Sequence, residues 1–347
     1  MKFLVFGGFE DLQTGLYICL SLRDMGHQID AIDSRKAYDN EGAVNSQKRI
    51  IEELEELNEQ YDIIIVMKGL ELSMRTLLDI KERQPKAKIV NWFFDKYIGD
   101  KPIWEVPEYG TFIKFFDYYF CSLKGVADKL NEAGFSNVKW LPEGYFPALN
   151  GETYMNNYQK KIYGTDIAFC GSLGYLKQHS NRVPILEYLS KEGYDMKIWG
   201  SVVCDWKLIP PAIRKWHQMR NAVNESHSMV TQSSLINIGI DQDPTIDMGY
   251  SARLYRVLGA GGLYLSTATK GIQKEFKINA QGAMPTGDEE VIVFYGMDSL
   301  IELIDFLLEH NDIRERIASN GQKKVAEKHK FSDRIQELLK VINNGRN

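Results

Sequence analysis

Short, wholly apolar runs recur along this chain, and stretches of helical spacing separate them. The clearest is Asp62–Met67, where Ile63, Ile64, Ile65, Val66 and Met67 follow one another without a polar residue. A strand that is apolar on both sides must be covered on both faces, which is the condition of a parallel sheet between layers of helices. Strands are predicted at Lys2–Phe6, Gln28–Ile32, Asp62–Met67, Lys88–Phe94, Tyr118–Cys121 and Val138–Leu141. Helices are predicted between them at Leu12–Met25, Ser46–Leu57, Leu72–Arg83 and Gly125–Ala133. The polar, aperiodic stretch Pro142–Gly164 reads as a linker. A second set comes after it, with strands at Asp166–Phe169, Asp195–Trp199, Ser234–Ile238 and Gly262–Ser266, and helices at Val183–Glu192 and Gly249–Leu258. Three helices, Ser299–Glu309, Asp312–Glu327 and Ser332–Ile342, complete the chain. The pattern predicts an α/β protein of two doubly wound, Rossmann-like domains facing a central cleft. The domains are expected at 1–150 and 160–331, with the last helix, about 332–347, packing back on the first domain. Ligands of such sheets bind at the carboxyl ends of the strands.

Composition narrows the function. A net charge of −5 is not that of a protein gripping nucleic acid by charge alone. Charge is uneven, with 18 Lys and Arg against 24 Asp and Glu in residues 1–150, and 24 against 23 in the remainder. The second half is therefore the better host for an anion. No apolar run approaches the roughly 20 residues of a membrane span, and the N-terminal Lys2–Phe6 run reads as a buried strand, not a leader. Cys19, Cys121, Cys170 and Cys204 lack metal-site spacing and read as reduced core thiols of a cytoplasmic protein. The six histidines are dispersed, and no metal site is expected. Gly7-Gly8 closes the first strand without a complete Gly-x-Gly-x-x-Gly, so a nicotinamide cofactor is disfavoured.

The stretch Tyr250–Thr267 carries the most chemistry. Leu254, Val257 and Leu258 form the buried stripe of a helix, and Arg253 and Arg256 lie three apart beside it. Asp247 or Ser251 is placed to cap that helix. Paired arginines on an opening helical turn suit a phosphate by charge, forked donors and helix dipole; the same spacing also suits a solvated basic face. Trp199-Gly200, at the end of a strand, offers either a nucleobase contact or a core tryptophan. Asn91–Asp95 ends a bulky apolar strand in a carboxylate. A partly desolvated Asp95 there suits general-base chemistry, or else caps the helix or loop behind it.

Arg253-Leu254-Tyr255-Arg256, Gly261-Gly262 with Leu263–Ser266 behind them, Gly271–Phe276 and the His310–Arg334 tail occur in a set order. That order resembles the C-terminal half of GT-B glycosyltransferases, and within them the CgeB-like, spore-maturation group, over about residues 165–335. The resemblance implies transfer of a sugar from a nucleotide-sugar, UDP-linked, to an acceptor hydroxyl, without a permanent cofactor. It implies a donor site drawn from Gly171, Ser172, Lys177, Arg182, Trp199, Gly200, Arg253, Tyr255 and Arg256, with Gly8 letting its loop approach the diphosphate or the acceptor. The family usually has Glu at position 256, which accepts hydrogen bonds from sugar-nucleotide hydroxyls, and Arg256 cannot accept them.

The Asn91–Asp95 strand also resembles that of phage DNA glucosyltransferases, which makes Asp95 the expected base of an inverting transfer, with Glu10 and Asp11 in reserve. The acceptor stays open among a modified DNA base, a glycan, a protein and a small molecule. The alternative is a degenerate, non-catalytic nucleotide- or glycan-binding protein. Asp241-Gln242-Asp243 resembles the metal-binding Asp-x-Asp of the other large glycosyltransferase fold. It reads here as a polar loop, because the surrounding pattern is not that fold.

Overall fold

The computed structural model describes residues 1–10, 14–98, 101–175, 181–241 and 246–344. The chain divides into two compact units, Met1–Glu143 with Phe331–Asn347, and Gly144–Lys330. Each is built on its own all-parallel sheet.

In the first unit, β1 (Lys2–Phe6), β2 (Gln28–Ile32), β3 (Ile63–Met67) and β4 (Lys88–Phe93) come before a short hairpin, β5 (Tyr97–Ile98) and β6 (Lys101–Pro102). Strands β7 (Tyr118–Cys121) and β8 (Val138–Trp140) come next, and the main sheet runs β2-β1-β3-β4-β7-β8. Every residue of β3 is buried, as its apolar run requires. The helix predicted from Ser46 starts at Ser34 instead. Asp33 caps it by accepting the Lys36 N–H, and Gly42, at φ 76°, breaks its regularity. The sequence signal was missed because residues 34–45 carry almost no apolar stripe and only Ser34 among them is buried.

The helix Phe331–Asn344 buries Phe331, Ile335, Leu338 and Ile342 and packs against the helix Thr14–Asp24. Phe331 stacks on Tyr17 at 5.7 Å and meets the edge of Trp92 at 6.2 Å. Polar ties add direction: Trp92 Nε1 donates to the Leu141 carbonyl at 3.0 Å, and Arg334 Nε to the Glu143 carbonyl at 3.0 Å.

The second unit holds β9 (Thr165–Cys170), β10 (Met196–Trp199), β11 (Ser234–Gly239), β12 (Tyr264–Thr267) and β13 (Ile292–Phe294), in the order β10-β9-β11-β12-β13. Strand β13 escaped the periodicity because it is three residues long; its pairing with β12, Leu265↔Ile292 to Thr267↔Phe294, creates it. The stretch read as a linker contains two helices, Pro147–Asn150 and Asn157–Tyr163. The second has no buried residue and therefore no apolar period; a capping box between Asn156 and Gln159 starts it. Among the described residues no helix is long and apolar enough to cross a membrane.

Truncating Phe331 to Ala removes a fully buried ring between Tyr17 and Trp92. The change is expected to cost about 3–5 kcal/mol, read as a lower urea midpoint by circular dichroism.

Candidate functional site

The carboxyl ends of β9 and β10 lie side by side. Gly171 N–H donates to the Trp199 carbonyl at 2.7 Å, and the Ser172 and Ser201 hydroxyls meet at 2.9 Å. Two glycines are needed for this approach. A Cβ on Gly200, which has φ 151°, would overlap the Gly171 carbonyl, and one on Gly171 would lie 2.5 Å from Arg253 Nη2. His217 fixes the Gly200 side. Its Nδ1 accepts the Met219 N–H at 3.0 Å, so its Nε2 carries the proton and donates to the Gly200 carbonyl at 3.0 Å.

Two arginines converge on this turn. Arg182 opens the helix Arg182–Lys191 and Arg253 opens the helix Arg253–Gly259. They are 7% and 9% exposed. Arg182 Nη1 donates to the Ser172 carbonyl at 2.8 Å, and Arg253 Nε donates to the Cys170 carbonyl. Both guanidinium groups lie against the Phe169 ring, at 6.0 and 5.0 Å from its centroid. Arg182 Nε and Arg253 Nη1 are buried without a hydrogen-bond partner among the described residues. Burial first, and then the charge of Arg253, pulls the Arg182 pKa down to about 9. The arrangement is therefore a desolvated pair of cations with N–H groups to spare, which is the chemistry of an anion site.

Asp241 lies just beyond β11. It stands outside helix and strand, as the polar-loop reading expects, and is 5% exposed. Its Oδ1 accepts the Ser251 N–H at 2.9 Å. Burial raises its pKa, while Arg253, the Ser251 N–H, Arg182 and a hydrogen bond from the Ser266 hydroxyl oppose that rise.

Other expected site residues fall elsewhere. Trp199 is inside the fold, tilted on Tyr163 at 5.5 Å with the Arg220 guanidinium 4.8 Å from its ring, so it offers no face to a nucleobase. Tyr255 is likewise core, stacked on His329 at 5.0 Å with its hydroxyl 2.8 Å from that of Tyr250. The predicted Gly249–Leu258 helix begins only at Arg253. Ser251 Oγ accepts the Arg253 N–H at 3.3 Å, whereas Asp247 pairs with Lys274 at 2.6 Å. Arg256 is half-buried on the next turn. Lys177, Asp11 and Asp243 lie outside the described residues.

In the first unit Asp95 lies just past β4, its side chain 28% exposed and so partly desolvated. Its Oδ2 is 2.5 Å from Lys68 Nζ. Lys68 adopts φ 57°, uncommon for a residue other than glycine. Asn91, fully buried within β4, donates to the Lys68 carbonyl at 3.0 Å, and the Lys68 N–H donates to the Trp92 carbonyl at 2.9 Å. Lys68 was missed by sequence reasoning. The signals were Lys68-Gly69 directly after an apolar strand, and one Asn in an otherwise apolar one. Gly8 is half-buried, its carbonyl so close to Gly15 that a Cβ there would lie 2.5 Å away, and Glu10 is exposed.

His227 lies behind the arginines, buried, and burial with the charges of Arg256 and Arg253 drives its pKa down to about 3. Its folded-state pKa is below its unfolded value, so its contribution to stability is present above pH about 6.5 and is lost as the pH falls from there towards 3. Replacing His227 with Gln is expected to flatten the acid limb of a melting-temperature profile between pH about 7 and 4.

Residues 182–340 match the family model described as glycosyl transferase-like. No curated protein sequence matches the chain. Solved structures resemble it over nearly its whole length. One is the E. coli trehalose-6-phosphate protein bound with UDP-2-fluoro glucose, at TM-score 0.63 and 10% identity, covering 98% of each chain. Another is an alpha-glucosyltransferase in complex with UDP-glucose and DNA containing an abasic site, at TM-score 0.64 and 13% identity, covering 99% of each chain. A third is the catalytic domain of Starch Synthase IV from Arabidopsis thaliana bound to ADP and acarbose, at TM-score 0.63 and 11% identity, covering 96% of this chain and 99% of that one. The chain has the two-sheet α/β fold of the GT-B glycosyltransferases, and the part that matches the glycosyl transferase-like family contains both buried arginines.

Proposed function

We propose that this protein is a glycosyltransferase that moves a sugar from a UDP-linked donor to an acceptor hydroxyl, with the donor diphosphate on Arg182 and Arg253. The observation that carries this reading is the pair of nine-tenths-buried guanidinium groups on Phe169, each with an N–H left over. An anion brought from solution satisfies both and relieves their mutual repulsion. The backbone turn at Gly171-Ser172 and Gly200-Ser201 brings bare main chain to the same place. As the glycosidic C–O bond breaks, negative charge grows on the departing UDP, and the two fixed cations stabilise it without reorganisation. In this reading they take the part a divalent cation plays elsewhere.

Asp95 is the proposed base. In an inverting transfer the acceptor oxygen bonds to the anomeric carbon, UDP leaves, and the hydroxyl proton passes to Asp95. Lys68 holds that carboxylate in place. The acidic balance of residues 1–150 favours a glycan, protein or small-molecule acceptor over a DNA base. The CgeB-like assignment rests on the order of Arg253, Gly261-Gly262 and Gly271–Phe276. Four free thiols among the described residues fit a reducing, cytoplasmic compartment.

The Lys68–Asp95 ion pair is also the observation that favours a non-catalytic reading, since the ammonium occupies the carboxylate oxygen Oδ2 that would take the proton. The two readings separate in one experiment. UDP-glucose is expected to raise the melting temperature of the wild-type protein, and Arg253→Ala to weaken its binding at least about tenfold. Asp95→Asn is expected to leave that binding unchanged and to lower transfer by about 10²- to 10⁴-fold. Donor binding with neither transfer nor hydrolysis in the wild type would establish the binding protein instead.

A further inference from the structure

We propose that His217 is the positioning residue of the turn at Gly171 and Gly200, and that only its neutral imidazole holds this turn in the form that binds a nucleotide-sugar. The inference rests on the donor-site reading above.

His217 begins a short segment, residues 217–220, that runs beside the end of β10 as one more edge of the sheet. Ile198 and His217 form a parallel bridge, and Gln218 N–H donates to the Ile198 carbonyl at 2.9 Å. Gly200 N–H donates to the Arg220 carbonyl at 3.1 Å, and the Gly200 carbonyl accepts from His217 Nε2 at 3.0 Å. Both main-chain polar groups of Gly200 are thus spent on this segment. On its other side, Gly171 N–H donates to the Trp199 carbonyl at 2.7 Å and Leu173 N–H to the Ser201 carbonyl at 2.8 Å. The turn that presents the Cys170 and Ser172 carbonyls to Arg253 and Arg182 therefore leans on Gly200, and Gly200 leans on residues 217–220.

The segment contains one strained residue. Met219 is 70% exposed and adopts φ 56°, a conformation that costs free energy in any residue but glycine. Its N–H donates to His217 Nδ1 at 3.0 Å. Only a neutral ring has a lone pair on that nitrogen. A second proton makes Nδ1 a donor facing a donor, and Met219 loses the bond that holds its conformation. The Arg220 carbonyl comes next in the chain, so its hold on Gly200 weakens with it. His217 acts on the anion site through Gly200 and not by touching the anion.

The surroundings leave the ring free to titrate by itself. Burial lowers its pKa from 6.5, the Gly200 carbonyl opposes that fall, and no charged side chain among the described residues takes part. Trp206 meets the ring at 5.2 Å, and on its turn Asp205 and Lys207 are exposed, with Asp205 Oδ1 accepting the Lys207 N–H. On β10, Lys197 Nζ donates to the Ile162 and Gly164 carbonyls. Lys215 lies over Trp216, and Arg220 over Trp199. The ring is therefore neutral at pH 7 and takes its second proton below pH 6.5, which releases the turn.

The test is calorimetric titration of wild type and of His217→Gln with UDP-glucose, from pH about 8 to about 5. The doubly esterified diphosphate keeps its charge over that range. Nearby groups do not imitate the effect: His227 titrates at about 3, and protonating Asp241 removes a negative charge beside the arginines and so tightens anion binding as the pH falls. Glutamine keeps a donor for the Gly200 carbonyl, has no acceptor at the place of Nδ1, and does not titrate. Wild-type affinity is expected to fall about tenfold on acidification, and His217→Gln to bind about tenfold more weakly than wild type at pH 8 with no further loss at pH 5. A flat wild-type profile, or a variant that follows the wild-type slope, overturns the proposal and leaves the donor-site reading standing. Wild type that does not bind UDP-glucose at pH 8 overturns that reading and this inference with it. Should His217→Gln not fold, the histidine rings of wild type are titrated by NMR with and without UDP-glucose. One ring is then expected to have its pKa lowered by about one pH unit with the donor bound, whereas a ring touching the diphosphate would have it raised. No lowered ring overturns the proposal.

Discussion

Two positive charges held out of water against one phenylalanine ring set the terms for the second unit. Buried arginines that close to each other are unfavourable unless their donors are answered. Two backbone carbonyls, of Cys170 and Ser172, answer part of them. Those carbonyls are presented only because β9 stops at Cys170 and the chain turns through Gly171 against Gly200. The site thus depends on two glycines, on the His217 hydrogen bond that steadies Gly200, and on a parallel sheet that puts the ends of β9, β10 and β11 in one place. Among the described residues an N–H on each arginine is still unanswered, Arg182 Nε and Arg253 Nη1.

The first unit shows the same principle with weaker forces. Asp95 and Lys68 leave adjacent strands, β4 and β3, at their carboxyl ends, and they pair at the surface, where the bond is largely screened. Its geometry comes from below. Asn91 spends its amide on the Lys68 carbonyl and holds that residue in a left-handed conformation. A buried amide inside an apolar strand costs stability unless it has such a task, and positive φ at a lysine is a local strain that the fold must hold in place.

Much of this was legible in the residue order. The apolar runs of β1, β3 and β4 announced a parallel sheet, and spacing and resemblance singled out Arg253, Arg182 and Gly171-Ser172, which the fold brings to one turn. Trp199 and Tyr255 were misplaced because an aromatic residue at a strand end or on a helix reads the same whether it faces a ligand or the core. The short helix at Arg253 was predicted too long because Gly249–Ala252 carry apolar and polar residues compatible with a helical turn. The Ser251 N–H is instead spent on Asp241, which keeps that residue out of the helix.

By itself the amino-acid sequence determined the layers: which segments are buried on two faces, which on one, and where cations outnumber anions. These come from local periodicity and composition, and they survive any rearrangement of the loops. Only the tertiary structure decided which charges meet. Arg182 and Arg253 stand far apart in the chain, and Arg253 is similarly remote from Phe169. Their meeting, like that of Lys68 with Asp95, is set by strand order in a sheet, and strand order is fixed by crossover packing that no single window of sequence contains.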